Sequence, residues 1–355
     1  MFVSRENIPE PDEQNPAVEA GQTAFAPTPE TFAGLPVARL EFVLRAEETA
    51  ELPNFLGSTL RGAFGYALKR AACLSPGSIC QTCPLPHDCW YAWLFETVTP
   101  PHALEVTEQR DAPRPFVLTP PLDRQWGDGM QLRRGAEIAF TMTLFGSAIN
   151  GVIYAAYAIG EMAGHGLGAR RGRFSLREIR ALDREGKRSS LGYNVINGQF
   201  DPLGIEAYGL SEMIETRLAT LSATDRVKLR FLTRARLRVQ DQLQDEFSFS
   251  TLIRFLWRRA FLMLAVHGNE IPTLNKEAML QRADLVNTLA SAMMKHEVWR
   301  RSNRQQRKLP QDGFLGEVVF EGKDLRAFLP LLLAGELLHV GSGATFGLGK
   351  YEIVS

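Results

Sequence analysis

Apolar and polar positions alternate with a period of two in ARLEFVLRAE, near the start of the chain, which predicts a strand there. After Pro53 the period lengthens, and FLGSTLRGAFGYALKRAA reads as a helix. A Cys-containing loop over residues 73–89 follows, then a short helix around WYAWLFETV. Residues 100–136 are rich in Pro and Gly and hold short strands such as PFVLTP. AEIAFTMTLFG (136–146) alternates again, a helix spans roughly Asn150 to Met162, and a glycine loop leads into the strand FSLREIRALD. Residues 183–224 are polar and Gly-rich and read as a connection. The second half opens with the long alternating strand VKLRFLTRARLRV (227–239). A helix from Phe249 to His267, a helical pattern over 274–299, the strand GFLGEVVFEG and the helix DLRAFLPLLLAGELLHV with Pro330 inside it come next. A glycine loop and the strand LGKYEIV close the chain.

Each half therefore repeats strand, helix, strands, helix, strand, with one strand of the second half concealed in the pattern. That order predicts an α+β protein of two ferredoxin-like (RRM-like, βαββαβ) domains in tandem, with a Cys-rich insertion in the first. The expected boundaries are 37–182 for the N-terminal domain, 183–224 for the connection and 225–355 for the C-terminal domain, with its glycine-rich loop at 341–349.

Charge changes this picture in one respect. The 355 residues hold 40 Lys and Arg against 40 Asp and Glu, yet residues 1–36 carry six acidic side chains against Arg5 alone. That Pro-rich segment reads as a flexible acidic leader. The remainder is mildly basic, and its basic residues cluster: Arg170, Arg171 and Arg173 in GLGARRGRF, and Arg300, Arg301, Arg304, Arg307 and Lys308 in WRRSNRQQRK. A local stripe suffices to track a polyanion, although each run read alone is equally a solvated face. No run of about 18 apolar residues predicts a membrane span, and the opening segment lacks the apolar core of a secretory signal, so a cytoplasmic protein is expected.

Three motifs carry candidate chemistry. HVGSGATFGLGKYEIV sets Gly341, Gly343, Gly347 and Gly349 between a helix and a strand, where glycines allow close backbone approach and turn N–H groups toward an anion. The order, helix before loop, is the reverse of a dinucleotide fingerprint. All four Cys of the protein, Cys73, Cys80, Cys83 and Cys89, fall in one C-x6-C-x2-C-x5-C stretch. Four thiolates suit a closed tetrahedral zinc site with a structural role; an iron–sulfur cluster or free thiols are the alternatives. Third, six His are available for proton transfer near neutral pH: His87, His102, His165, His267, His296 and His339.

Four segments together, LPNFLGSTLRGAFGYAL, the Cys stretch leading into LFET, VWRRSNRQQ before GFLGEVVFEG, and the terminal ELLHVGSGATFGLGKYEI, resemble the CRISPR repeat-processing endoribonucleases of the RAMP superfamily, in particular a Cys-containing subgroup. The resemblance runs from about residue 38 to the C-terminus. It implies tandem ferredoxin-like domains that bind CRISPR repeat RNA and cleave it without metal. The RNA's own 2′-hydroxyl attacks the adjacent phosphate, leaving 2′,3′-cyclic phosphate and 5′-hydroxyl ends. The alternative it leaves is a RAMP subunit that holds guide RNA beside other CRISPR effector subunits without cutting. The expected catalytic residues are His339 and His165, with Tyr66 and Lys69 on the first helix. The expected RNA contacts are Arg70, Arg170, Arg171, Arg173, Trp299, Arg300, Arg301, Arg304, the four loop glycines and Lys350.

Overall fold

The computed structural model describes residues 25–354 apart from 76, 86–88, 98, 108–111, 123–128, 191–200, 222–224, 240–241, 245–246 and 303–306. In the N-terminal half the long strand β1 (Pro36–Ala46) is followed by helix α1 (Gly57–Ala72), the short helix α2 (Trp90–Phe95), strands β2 (Phe116–Thr119) and β3 (Glu137–Phe145), helix α3 (Val152–His165), β4 (Phe174–Leu182) and β5 (Arg188–Ser190). The sheet runs β2-β3-β1-β4-β5, antiparallel throughout. α1 and α3 cover one face through Leu60, Phe64, Leu68, Ala155, Ile159 and Met162, all buried. On β1, the buried Glu41 takes Arg180 and Arg188, each at 2.9 Å.

The C-terminal half repeats the plan. Helix α4 (Leu210–Leu218) precedes β6 (Arg226–Ala235), α5 (Phe249–His267), α6 (Lys276–Ala283), β7 (Asn287–Ser291) and β8 (Met294–His296). A hairpin of β9 (Trp299–Ser302) and β10 (Arg307–Pro310) stands apart from the sheet, before β11 (Gly313–Glu321), α7 (Leu329–Leu338) and β12 (Tyr351–Val354). The sheet order is β7-β11-β6-β12, with β8 also on β11. In both halves the second and fourth main strands flank the third and first, which is the tandem ferredoxin-like arrangement expected from the pattern.

Three expectations change. The helical pattern over 274–299 breaks after Ala283; β7 and β8 occupy the rest because the edge of β11 offers a ladder that outweighs local helix propensity. β7 is the strand concealed in the sequence pattern, and it is exposed along its whole length, so no burial period marks it. The leader does not stay free up to residue 36. Ala26, Phe32 and Leu35 are buried in the C-terminal core, and Phe25 meets Phe328 edge-on at 6.0 Å; residues 1–24 lie outside the described residues. Within 183–224, α4 buries Leu210, Met213 and Ile214 in the same core. Pro330 lies in the first turn of α7, where its missing N–H has no partner to lose. Among the described residues no helix is long and apolar enough to cross a membrane.

The domains touch backbone to backbone. A Cβ on Gly57, the first residue of α1, would stand 1.7 Å from the carbonyl oxygen of Phe346 in the C-terminal glycine loop. Gly62, on the exposed side of the same helix, has nothing within 4 Å of that position. Gly57→Ala is therefore expected to lower stability by about 1–3 kcal/mol. Gly62→Ala should raise it by up to about 1 kcal/mol, since it only removes unfolded-state freedom from a helix interior. Urea denaturation of the two variants beside the parent checks both signs.

Candidate nucleic-acid interface

Helix α1 carries a group of candidate side chains at each end. At its start, Ser58 accepts a hydrogen bond from Gln311 Nε2 at 2.9 Å. One turn on, Arg61 donates to Thr345 Oγ1 at 3.1 Å and lies over the rings of Phe346 (4.7 Å) and Phe95 (5.1 Å). Across the seam, Arg234 at the end of β6 lies over Phe55 at 5.3 Å and donates to the Gln311 carbonyl at 3.0 Å. Its Nη2 is buried without a hydrogen-bond partner among the described residues. Burial, and then the neighbouring Arg236, push the Arg234 pKa down. Arg236 donates from Nε to the Asp312 carbonyl at 3.0 Å. Arg236 also faces the Asp312 carboxylate at 3.6 Å, so of the three guanidiniums gathered where the domains meet beside the Thr345 turn, one has a carboxylate partner. None of Arg61, Arg234 or Arg236 was singled out by the sequence reading. They lie in strand and helix patterns that look like ordinary amphipathic faces.

The C-terminal glycine loop owes most of its glycines to packing. A Cβ on Gly347 would meet Leu118 O at 2.5 Å and Pro120 at 2.4 Å, and one on Gly349 would meet Val340 O at 1.9 Å. Both residues are buried with φ near +80°, so neither faces a ligand. Gly341 packs on the Arg236 backbone and Gly343 against Leu348. The expectation that this loop presents a row of glycines to RNA narrows to its outer turn, Ser342–Thr345. Lys350 also turns inward. Its ammonium donates to the Glu336 carbonyl at 2.6 Å near the end of α7, and burial pulls its pKa to about 8. It caps a helix rather than reaching a phosphate.

His339 is corrected in the same way. It is 1% exposed and ends α7 with φ 59° and ψ 160°, a region that glycine ordinarily fills, and at the end of α3 Gly166 does fill it (φ 88°, ψ 150°). Its Nδ1–H donates to Leu348 O at 3.2 Å, which leaves Nε2 to accept from Thr119 Oγ1 of the N-terminal domain at 3.4 Å. Burial, with Lys350 and Arg259 nearby, holds its pKa well below the usual histidine range. The side chain is an inter-domain strut, closed to a substrate. His102 and His267 bridge the domains too, onto Ala265 O (3.1 Å) and Pro113 O (2.6 Å).

At the far end of α1 the geometry favours the other histidine. His165, the last residue of α3, is exposed. Its Nδ1–H donates to the Glu161 carbonyl at 2.7 Å, so Nε2 carries the lone pair and accepts from Arg70 Nη1 at 2.7 Å. The Arg70 guanidinium lies 5.9 Å from the ring of Tyr66, which is 64% exposed. Tyr66, Arg70 and His165 are thus brought together. Lys69 is turned aside over Tyr91 at 5.5 Å. The adjoining loop is exposed at Arg170, Arg171 and Arg173, with Arg170 paired to Glu51 at 2.9 Å and Arg173 to Glu48 at 3.4 Å. The two glycine loops do not face one cleft. They meet α1 at opposite ends, about 14 Å apart by the helical rise from Arg61 to Arg70.

The backbones of Trp299, Arg300 and Arg301 form strand β9 of the free-standing hairpin. Arg304 and His87 lie outside the described residues. Cys73, Cys80, Cys83 and Cys89 are unpaired thiols lining one small cavity. Among the described residues no three ligand groups stand in a ready coordination shell.

Residues 35–199 match a family model described as the AF_1859 N-terminal domain, and residues 229–351 match the model of the CRISPR-associated endoribonuclease Cas6. An uncharacterised protein of Archaeoglobus fulgidus is 26% identical over 313 residues, covering 86% of this chain and 93% of that one. Thermus thermophilus Cas6 (TTHB231) superposes with a TM-score of 0.50 at 16% identity, over 91% of this chain and all of the other. A partial Cas6-RT-Cas1–Cas2 complex contains a chain that superposes at 0.54 with 12% identity, over 93% of this chain and 47% of that one. These structures share the fold.

Two of the buried histidines make acid stability predictable. Burial lowers His267 to about 4 and holds His339 well below 6.5 in the folded chain, whereas unfolded histidine titrates near ~6.5. The unfolded state therefore takes up protons first as pH falls. Stability is full above about pH 6.5 and declines below it by up to about 1.4 kcal/mol per pH unit for each histidine. Urea midpoints between pH 7 and 4.5 should show this decline, and His267→Gln should remove one proton's share of the slope. An unchanged slope in the variant would show that His267 is already charged when folded.

Proposed function

We infer that this chain, whose residues 229–351 match the model of the CRISPR-associated endoribonuclease Cas6, is a Cas6 endoribonuclease that binds CRISPR repeat RNA and cuts it with the Tyr66–Arg70–His165 group. The observation that carries the site is the Arg70–His165 hydrogen bond on the exposed end of α1 and α3. There the Glu161 carbonyl engages Nδ1 and leaves Nε2 turned toward a guanidinium.

The chemistry follows from the substrate. RNA carries its own nucleophile, so the protein has to orient the 2′-hydroxyl, remove its proton, offset the charge growing on phosphorus and supply a proton to the 5′-oxygen. A phosphate entering the site draws Arg70 from Nε2 onto its non-bridging oxygens. The freed Nε2 lone pair then accepts the 2′-hydroxyl proton. Tyr66 stands on the same side of α1 to donate to the leaving oxygen, which gives 2′,3′-cyclic phosphate and 5′-hydroxyl ends. Arg170, Arg171 and Arg173 line the approach, while Arg61, Arg234 and Arg236 at the seam track the flanking backbone. The β9–β10 hairpin, with Trp299, Arg300 and Arg301 on its first strand, is suited to a paired stem, and Arg304 adds to the same basic run in the sequence.

A second reading, a subunit that holds RNA without cutting it, is favoured by one observation: the histidine nearest the C-terminal glycine loop, His339, is buried. The readings separate in single-turnover cleavage of labelled repeat RNA in excess EDTA, beside a 2′-deoxy substitution at the cut site. The expected outcome is cleavage that survives EDTA and is lost on 2′-deoxy substitution. His165→Ala should slow it by about 10²–10⁴-fold with RNA binding unchanged. Tight binding without cleavage by the parent would establish the second reading. Full activity in His165→Ala would remove this group from the mechanism.

A further inference from the structure

The loop of residues 73–89 inverts the usual order of a folded segment. Its large apolar side chains stay substantially solvent-exposed: Leu74 is 59% exposed, Ile79 68% and Leu85 40%, although Leu74 and Leu85 also border the cavity. Its four thiols point inward and line a single cavity of about 10 Å³, room for one sphere the size of a water or an ion. The rest of the lining comes from Leu74, Ser75, Ser78, Leu85 and Ala92. Among the described residues of this segment no large apolar side chain is fully buried, which leaves it little hydrophobic reason to hold one shape, and small units of this kind ordinarily rely on a disulfide or a metal. Of the local side-chain hydrogen bonds, Ser75 with Ser78 and Thr82 with the Ile79 carbonyl shape single turns, and the Cys89 thiol at 3.6 Å from the Ala72 carbonyl is a single weak link between the ends of α1 and α2.

We propose that Cys73, Cys80, Cys83 and Cys89 bind one zinc ion that pins α1 to α2. The donor set fits that ion: four soft sulfur ligands, a C-x2-C pair within a 3-10 turn at Cys80–Thr82, and no carboxylate among the described lining residues. The position explains what the ion would do. Cys73 is the C-cap of α1 and Cys89 the N-cap of α2, so a single ion joins the facing ends of the two helices. α1 carries Tyr66, Lys69 and Arg70 within its last two turns, and Lys69 already reaches Tyr91 on α2. Zinc here fixes the spacing of that end of α1. With all four thiolates engaged it leaves no open position for a substrate, so it takes no part in bond cleavage. This inference stands on the loop alone and is independent of the proposed RNA chemistry.

The test is elemental analysis of the full chain, purified without a metal-binding tag under reducing conditions. It is paired with thiol titration before and after a chelator and with limited proteolysis. The expected result is one zinc per chain, four thiols that react only after chelation, and faster cutting within 73–89 once the metal is removed. Adding zinc back to the stripped parent should restore protection, which avoids dependence on a variant that fails to fold. Cys83→Ser should reduce bound zinc from one per chain to near zero. A chain that neither carries nor takes up zinc, with four freely reactive thiols, would overturn the proposal. So would disulfide pairs on mass analysis, or the visible absorbance of an iron–sulfur cluster after anaerobic purification.

Discussion

At the seam of the two domains the first residue of α1 lies against the carbonyl of Phe346, with no space for even a methyl group. Close packing at this point fixes where α1 begins and which way it points. A second glycine contact, Gly347 on Leu118 and Pro120, holds the same loop against β2. Backbone packed on backbone is stiff, because neither side has rotamers with which to yield. The two ferredoxin-like units are consequently set together by a short stretch of loop, and the candidate side chains on α1 inherit their placement from it.

The same seam explains the unusual population of buried polar groups. α7 ends inside the protein, and its last carbonyls need donors. Arg259 supplies one to Leu338 and Lys350 one to Glu336. Burial pulls the Arg259 pKa to about 10 and that of Lys350 to about 8. His339 then has to be neutral, since a third cation in that space would be unpaired. Its left-handed backbone costs about 1–3 kcal/mol. The hydrogen bonds to Leu348 and Thr119 are what its side chain contributes in exchange.

His165, the last residue of α3, and His339, the residue that caps α7, stand one position apart at equivalent helix ends, and the surroundings give them opposite properties. The first domain leaves its helix end on the surface, where Arg70 and the Glu161 carbonyl orient an exposed imidazole. The second covers its helix end with the first domain. Equivalent helix ends thus carry a candidate reactive group in one domain and a strut in the other.

Local order was readable from residue order alone. The period-two strands, the helices after Pro53 and before the glycine loops, and the repeated strand–helix plan are nearest-neighbour properties, and they emerge as expected. The Cys spacing and the Arg runs were equally visible. What the chain did not disclose were facts about distant neighbours. β7 has no burial pattern of its own and exists because the edge of β11 accepts it. Phe32 and Leu35 leave the acidic leader because the C-terminal core has a place for them. Arg70 and His165 are ninety-five residues apart in sequence, and His339 looked as available as His165 until the other domain closed over it. Periodicity encodes which face of an element is apolar. It does not encode what that face, or a polar side chain at its end, will meet, because desolvation and pairing are decided only when remote segments come within contact distance.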